Sequence, residues 1–158
     1  MYQSLTGNHP KVPWRRILCN NHSTPKSQFI LWLALWRRLP TLDRLIKWKA
    51  VDSDICVLCN SNIESAEHLF FECPTSSLVW QKILSLLQLS RPTGGFTYEI
   101  QWMLKSSTGG KHQLLMIFFA ESIYSIWLNR NDRIFNQHCK PPTELFKEIQ
   151  FRVAAKAV

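Results

Sequence analysis

The sequence predicts a mainly α-helical fold, a small helical domain interrupted once by a cysteine-rich segment and followed by additional helices. Three observations carry this. Apolar residues recur at three- and four-residue spacing in one stretch after another. Thr-Pro, Pro and Gly-Gly punctuation stands where those stretches begin and end. Over residues 51–73 the helical pattern gives way to Cys56, Cys59, His68 and Cys73. At 158 residues the chain fits a single domain with a real core, and 46% hydrophobic with 19% charged residues is the balance of a folded globular protein.

Taken in order, residues 1–25 form a basic, loop-rich N-terminal segment marked by Gly7, Pro10, Pro13 and Pro25, with room for one brief helical turn between Val12 and Leu18. Thr24 and Pro25 supply an N-cap and a first helical position for a helix over 26–38 that ends before Pro40. Phe29, Trp32, Leu33 and Trp36 share one of its faces and Ile30, Leu31 and Leu35 fill another, which predicts burial on more than one side. Thr41 caps a second short helix through Trp48, built on Leu42, Leu45 and Ile46, so the two read as a helical hairpin. Pro74 opens a further helix carrying Leu78, Val79, Ile83, Leu86 and Leu87, which Ser90, Arg91 and Pro92 end.

The region 91–158 continues as helices. Gly94 and Gly95 on one side and Gly109 and Gly110 on the other bracket a helix over Phe96 to Lys105. The longest helix runs from about 111 to 136, with Met116, Phe119, Ile123 and Trp127 on one side and Glu121, Ser125 and Asp132 as a narrow polar stripe; it is expected to be the spine of the core. Pro141 and Pro142 separate it from a final amphipathic helix over 143–156 built on Leu145, Ile149 and Val153. The most apolar stretch, Leu114 to Leu128, is short for a bilayer span and carries Glu121, so no membrane segment is expected.

Charge is unevenly distributed. Residues 1–50 hold nine bases against one acid, Asp43, whereas residues 51–158 hold ten of each, so the whole net charge of +8 sits in the first third. Such a segment attracts a polyanion. Five cysteines with no secretory signal ahead of them argue against a disulfide framework and for a reducing, intracellular setting, nucleus or cytoplasm, not secretion.

The four would-be ligands follow the pattern C-x2-C-x8-H-x4-C. Two cysteines separated by two residues bend a tight turn around one metal, and a second pair closes the tetrahedron. His68 and Cys73 supply that pair from a short helix and the turn after it. Four protein donors leave no open position for water, which makes this an embedded Cys3His knuckle holding one structural zinc and not a catalytic site. Cys19 with His22, and His138 with Cys139, lack partner pairs and read as free thiols and surface imidazoles.

Several runs together resemble a known family. Trp36 to Trp48 (WRRLPTLDRLIKW), Cys56-Val57-Leu58-Cys59, Glu67 to Cys73 (EHLFFEC) and Ser77 to Trp80 (SLVW) are similar to the reverse-transcriptase zinc-binding domain of plant LINE-type, non-LTR retrotransposons. The likeness covers about residues 12–85, and Ile126 to Phe135 (IWLNRNDRIF) is similar to a segment that often follows the domain. On this basis residues 26–90 are the zinc-binding domain, comprising the helical hairpin, the knuckle and the next helix. The resemblance implies that Cys56, Cys59, His68 and Cys73 are the zinc ligands and that the ancestral partner is element RNA or target DNA. The chain shows no Asp-Asp pair of a polymerase and no acidic cluster of a nuclease, so no enzyme is expected.

The knuckle itself is a poor phosphate binder. From Ala50 to Gln81 there is no lysine or arginine, while Asp52, Asp54, Glu64, Glu67 and Glu72 are acidic. Three thiolates and a neutral imidazole around zinc add about one further negative charge. RNA or single-stranded DNA is therefore expected at the bases before the knuckle: Arg15, Arg16, Arg37, Arg38, Arg44, Lys47 and Lys49. Trp14, Trp36 and Trp48 stand beside these bases and an exposed ring could stack on a nucleotide. The helical spacing of Trp32 and Trp36 nevertheless places those two in the core, leaving the bases as the better candidates. The competing readings are a protein-docking module that acts through exposed helices, and a retroelement fragment without function.

Overall fold

The computed structural model describes residues 12–19, 21–106 and 110–157; the loop expected over the first eleven residues lies outside these. Among these residues seven α-helices follow one another: α1 (Arg15–Cys19), α2 (Pro25–Leu35), α3 (Leu42–Leu45, continued by a 3-10 turn Ile46–Trp48), α4 (Pro74–Leu86), α5 (Phe96–Lys105), α6 (Gly110–Asn136) and α7 (Pro142–Ala157). A single π-helical turn, His68–Glu72, precedes α4. Extended pairing among the described residues is limited to one antiparallel bridge, Ile55 with Ile63. The fold is mainly α, with a Cys3His cluster followed by further helices.

Helix α2 begins as its sequence dictates. Thr24 is extended, its hydroxyl accepts the N–H of Ser27 at 3.3 Å, and Pro25 stands at the first helical position. Its end differs from expectation. The helix stops at Leu35, three residues early, because Arg37 adopts a left-handed conformation at φ 55°. The N–H of Arg38 then reaches the carbonyl of Leu33 and that of Arg37 reaches Ala34, so the last turn closes on itself before Pro40 is met. A non-glycine residue in that region costs about 1–2 kcal/mol. Here the guanidinium offsets the cost: it donates to Ala34 O, Glu67 Oε1 and Thr97 Oγ1, and lies 4.3 Å over the Phe96 ring.

Helix α3 is capped differently as well. Thr41 occupies the N-cap position, but its hydroxyl donates to Asp43. The free N–H of Leu42 is taken instead by Glu64 Oε1 at 2.8 Å, and that of Asp43 by Glu64 O at 3.1 Å.

Helix α6 is the spine. Buried side chains surround it from Leu115 to Arg130, so the stripe read as polar is itself largely inside. Its buried carboxylate and amide are partnered, whereas the buried hydroxyl of Ser125 has no partner among the described residues. Glu121 is fully buried and accepts from the N–H and hydroxyl of Thr24 and the hydroxyl of Ser27, and it pairs with Arg152 of α7 at 3.1 Å. One carboxylate thus ties the start of α2 and the middle of α7 to α6. Asn129 exchanges hydrogen bonds with the backbone of Lys140 and fixes the turn into α7.

The core is continuous from Ile17 of α1 to Val153 of α7. At its centre Phe71 stacks on Phe96 and Phe119, with centroids 5.7 and 5.4 Å apart, and meets Trp80 edge-on at 5.4 Å. Phe71 belongs to the π-helical turn, so the segment between two ligands is rooted in the most aromatic part of the molecule. One expectation is overturned here. Trp32 and Trp36 are not core residues: they are 37% and 42% exposed, and Phe29 on the same face is 59% exposed. The buried face of α2 is carried by Ser27, Leu31, Ala34 and Leu35.

Candidate metal centre

The donor atoms of Cys56, Cys59, His68 and Cys73 all lie within 4.8 Å of one another. Cys56 Sγ is 4.0 Å from Cys73 Sγ, and Cys59 Sγ is 3.3 Å from His68 Nε2. A tetrahedral zinc with Zn–S near 2.3 Å and Zn–N near 2.0 Å sets such edges at about 3.8 and 3.5 Å. The donors therefore stand close to the corners of one coordination tetrahedron, and the soft, nitrogen-and-sulfur donor set suits zinc.

Two local structures bring them together. The first is a miniature hairpin. Glu64 N–H donates to Asp54 O at 2.7 Å and Cys56 N–H to Asn62 O at 2.7 Å, while Asn60 N–H turns back to Cys56 O at 2.8 Å. The reversal needs a left-handed residue, and Asn60 supplies it at φ 56°, a conformation asparagine tolerates well. Cys56 and Cys59 project from this turn. The second is the π turn, in which Cys73 N–H donates to His68 O at 2.6 Å across five residues. That extra residue per turn sets the histidine and the cysteine on one side, and π turns recur at functional positions for this reason. Sequence spacing points to a short helix there; its π character is a finding of the structure.

Electrostatics prepare the site. Cys56 is buried, and its thiol is pushed up, first by the hydrogen bond it donates to Cys73 Sγ and then by burial. Cys73 is held down, chiefly by accepting that bond, with further help from the N–H groups of Thr75 and Ser76 in the first turn of α4. The two sulfurs face one another where a metal would come between them. Burial lowers the pKa of His68, which favours the neutral imidazole that ligates through a ring nitrogen.

Acids around the knuckle are partly neutralised from outside it, which sequence order hides. Glu64 is fully buried: Arg130 of α6 donates to it through Nε at 3.2 and 3.0 Å and through Nη2 at 2.8 Å, and also reaches Pro40 O at 3.1 Å. Glu67 pairs with Arg37 at 3.1 Å. Burial pushes the Glu67 carboxyl up, but hydrogen bonds from the hydroxyl and N–H of Thr97, with Arg37 beside it, hold it below the usual carboxylate range. Asp52 and Glu72 remain exposed.

The seven bases singled out in the sequence divide into two groups. Arg37 and Arg44 are drawn inward: Arg37 as described above, and Arg44 through Nη1 to Arg37 O and Leu39 O at 2.9 and 3.0 Å. Arg15, Arg16, Arg38, Lys47 and Lys49 are exposed. Cys139 is an exposed free thiol and His138 is exposed beside it. Sequence reasoning missed Glu64, Arg130 and Phe71 as supports of the site. The signal available for Arg130 was its place in the Trp127-to-Asp132 run; for buried Glu64 there was none.

Fold and site together define a zinc-binding helical module of the reverse-transcriptase knuckle type. The chain belongs to the family described as zinc-binding in reverse transcriptase, whose pattern matches residues 1–80. The match is to the non-catalytic accessory region and not to the polymerase core. No curated protein and no solved structure matches the chain significantly. Among the described residues no helix is long and apolar enough to cross a membrane.

Proposed function

We propose that Cys56, Cys59, His68 and Cys73 hold one structural zinc ion, and that the module, detached from the reverse transcriptase of a plant LINE-type retrotransposon, binds RNA or single-stranded DNA through its basic N-terminal third. Residues 26–90 are its zinc-binding part and 91–158 the helices that complete the core. The carrying observation is the exposure of Arg15, Arg16, Arg38, Lys47 and Lys49 in the segment that holds all the excess charge. Bound zinc supplies no chemistry beyond cross-linking. The hairpin and the π turn present its donors, and locking them together fixes α3, which the hairpin caps through Glu64, against the core. The setting is intracellular, where thiols stay reduced.

The test combines metal analysis with a binding titration. One zinc per chain is expected, together with affinity for single strands that falls steeply between 50 and 200 mM salt. Changing Arg15, Arg16, Arg38, Lys47 and Lys49 to glutamine should abolish most of that slope; an unchanged slope rules this surface out. A protein-docking role is the second reading, favoured by Phe135 and Phe151, which are 76% and 77% exposed on α6 and α7.

A further inference from the structure

The exposed face of α2 carries more than charge. Phe29, Trp32 and Trp36 fall at i, i+3 and i+7, within one narrow sector of the helix. Phe29 and Trp32 lie stacked, centroids 6.3 Å apart and 20° from parallel. Trp36 stands edge-on against Trp14 at 5.0 Å, which joins α1 to the far end of the stripe. Single exposed apolar residues are ordinary on a protein surface, but three large aromatic rings in a row are not.

The charges beside the stripe say what covers it. Exposed Lys26 lies one turn before Phe29, exposed Arg15 and Arg16 follow Trp14, and exposed Arg38 has its guanidinium 5.6 Å over the Trp36 ring. The one acid among residues 12–50 is Asp43, which is engaged by the hydroxyl of Thr41. An apolar partner helix with ordinary surface charge gains nothing from such an array. A chain of flat rings linked by phosphates matches both of its components. From Phe29 to Trp36 the helix rises about 10 Å, enough for two or three bases of an extended strand.

We infer that the Phe29–Trp32–Trp36 face is a stacking platform for the bases of a single-stranded nucleic acid, with Lys26, Arg15, Arg16 and Arg38 holding the phosphates. This rests on the nucleic-acid reading above and assigns it an atomic surface. The grip is sequence-tolerant, because every base offers a ring face, and duplexes are excluded because their faces are already stacked.

The experiment measures fluorescence-anisotropy binding of 12-nucleotide oligo(U), oligo(dT) and a 12-base-pair duplex to the full chain at 50 and 200 mM salt. Circular dichroism and zinc content serve as controls for folding. Phe29→Ala and Trp32→Ala should each weaken single-strand binding by about fivefold to a hundredfold and leave the salt slope unchanged, whereas Trp32→Phe retains most of the affinity. Arg15→Gln with Arg16→Gln and Arg38→Gln should flatten the slope instead. If the alanine variants bind as tightly as the parent while the glutamine variant is weakened, the platform is overturned and the basic surface stands. If the parent binds no single strand, both readings fall. If light scattering shows the parent as a dimer that Phe29→Ala and Trp32→Ala convert to monomer, with binding untouched, the face is a self-association surface and the platform is overturned.

Discussion

Arg130 and Glu64 stand 66 residues apart in sequence, yet the guanidinium of one grips both carboxylate oxygens of the other in the buried layer between α6 and the metal hairpin. The same carboxylate caps α3. Helix α6 therefore reaches the knuckle with a charge, although it lies outside the matched residues 1–80.

Removing one partner should be costly. Arg130→Ala leaves the buried Glu64 carboxyl without its ion-pair partner, an effect on the order of 3–5 kcal/mol in urea unfolding. Glu64→Gln combined with Arg130→Met should lose clearly less than the sum of the single changes, which a double-mutant cycle measures. Strict additivity would show that the two groups do not interact.

The ligands should behave as one unit. Cys56→Ser, Cys59→Ser, His68→Ala or Cys73→Ser each removes a donor from a closed set, and apparent zinc affinities of about 10–16 kcal/mol in comparable sites are folding free energy. The expected result is loss of stoichiometric zinc by atomic absorption and a lower melting temperature. Chelating the parent should reproduce both changes, and a chelated parent with an unchanged melting curve would count against a structural ion.

Phe71 should matter to the metal without touching it. Phe71→Ala empties the centre of the aromatic cluster, worth about 3–5 kcal/mol in denaturant unfolding. Because His68 and Cys73 bracket that residue, competition with a chromophoric chelator should also report weaker zinc binding. Phe146→Ala, on α7 and only partly buried, is the control.

At position 37 two effects oppose one another. Arg37→Ala loses the contacts to Glu67, Thr97 and Phe96 and keeps the left-handed backbone, whereas Arg37→Gly loses the same contacts but relieves the backbone. The glycine variant should be the more stable of the two by about 1 kcal/mol, read as a difference in urea midpoint.

What the sequence makes legible is what is decided locally. Thr24-Pro25 and Pro74 open helices where they stand, because a proline without an N–H fits a first turn and little else. The cysteine spacing is legible for the same reason, since a tight turn and a short helical segment can be read within twenty residues. The end of α2 is not. Arg37 takes the left-handed role usually given to glycine, and what holds it there comes from Glu67, Phe96 and Thr97, far along the chain. The orientation of α2 is illegible for another reason. A helix that is apolar nearly all round shows which residues share a face, but not which face the neighbours cover. Glu64 and Glu121 read as ordinary surface acids until their partners are brought in from 66 and 97 residues away.

The hydrogen bond from Cys73 N–H to His68 O joins two of the four donors within a single turn, and the side chain of Phe71 between them is sunk in the core. Half of the coordination sphere is therefore preassembled by hydrophobic packing, while the other half rides on a hairpin tied down by one carboxylate. The two halves of the site therefore hang from different parts of the molecule, one from the aromatic interior and the other from the far end of the longest helix, and each can be loosened without touching a ligand.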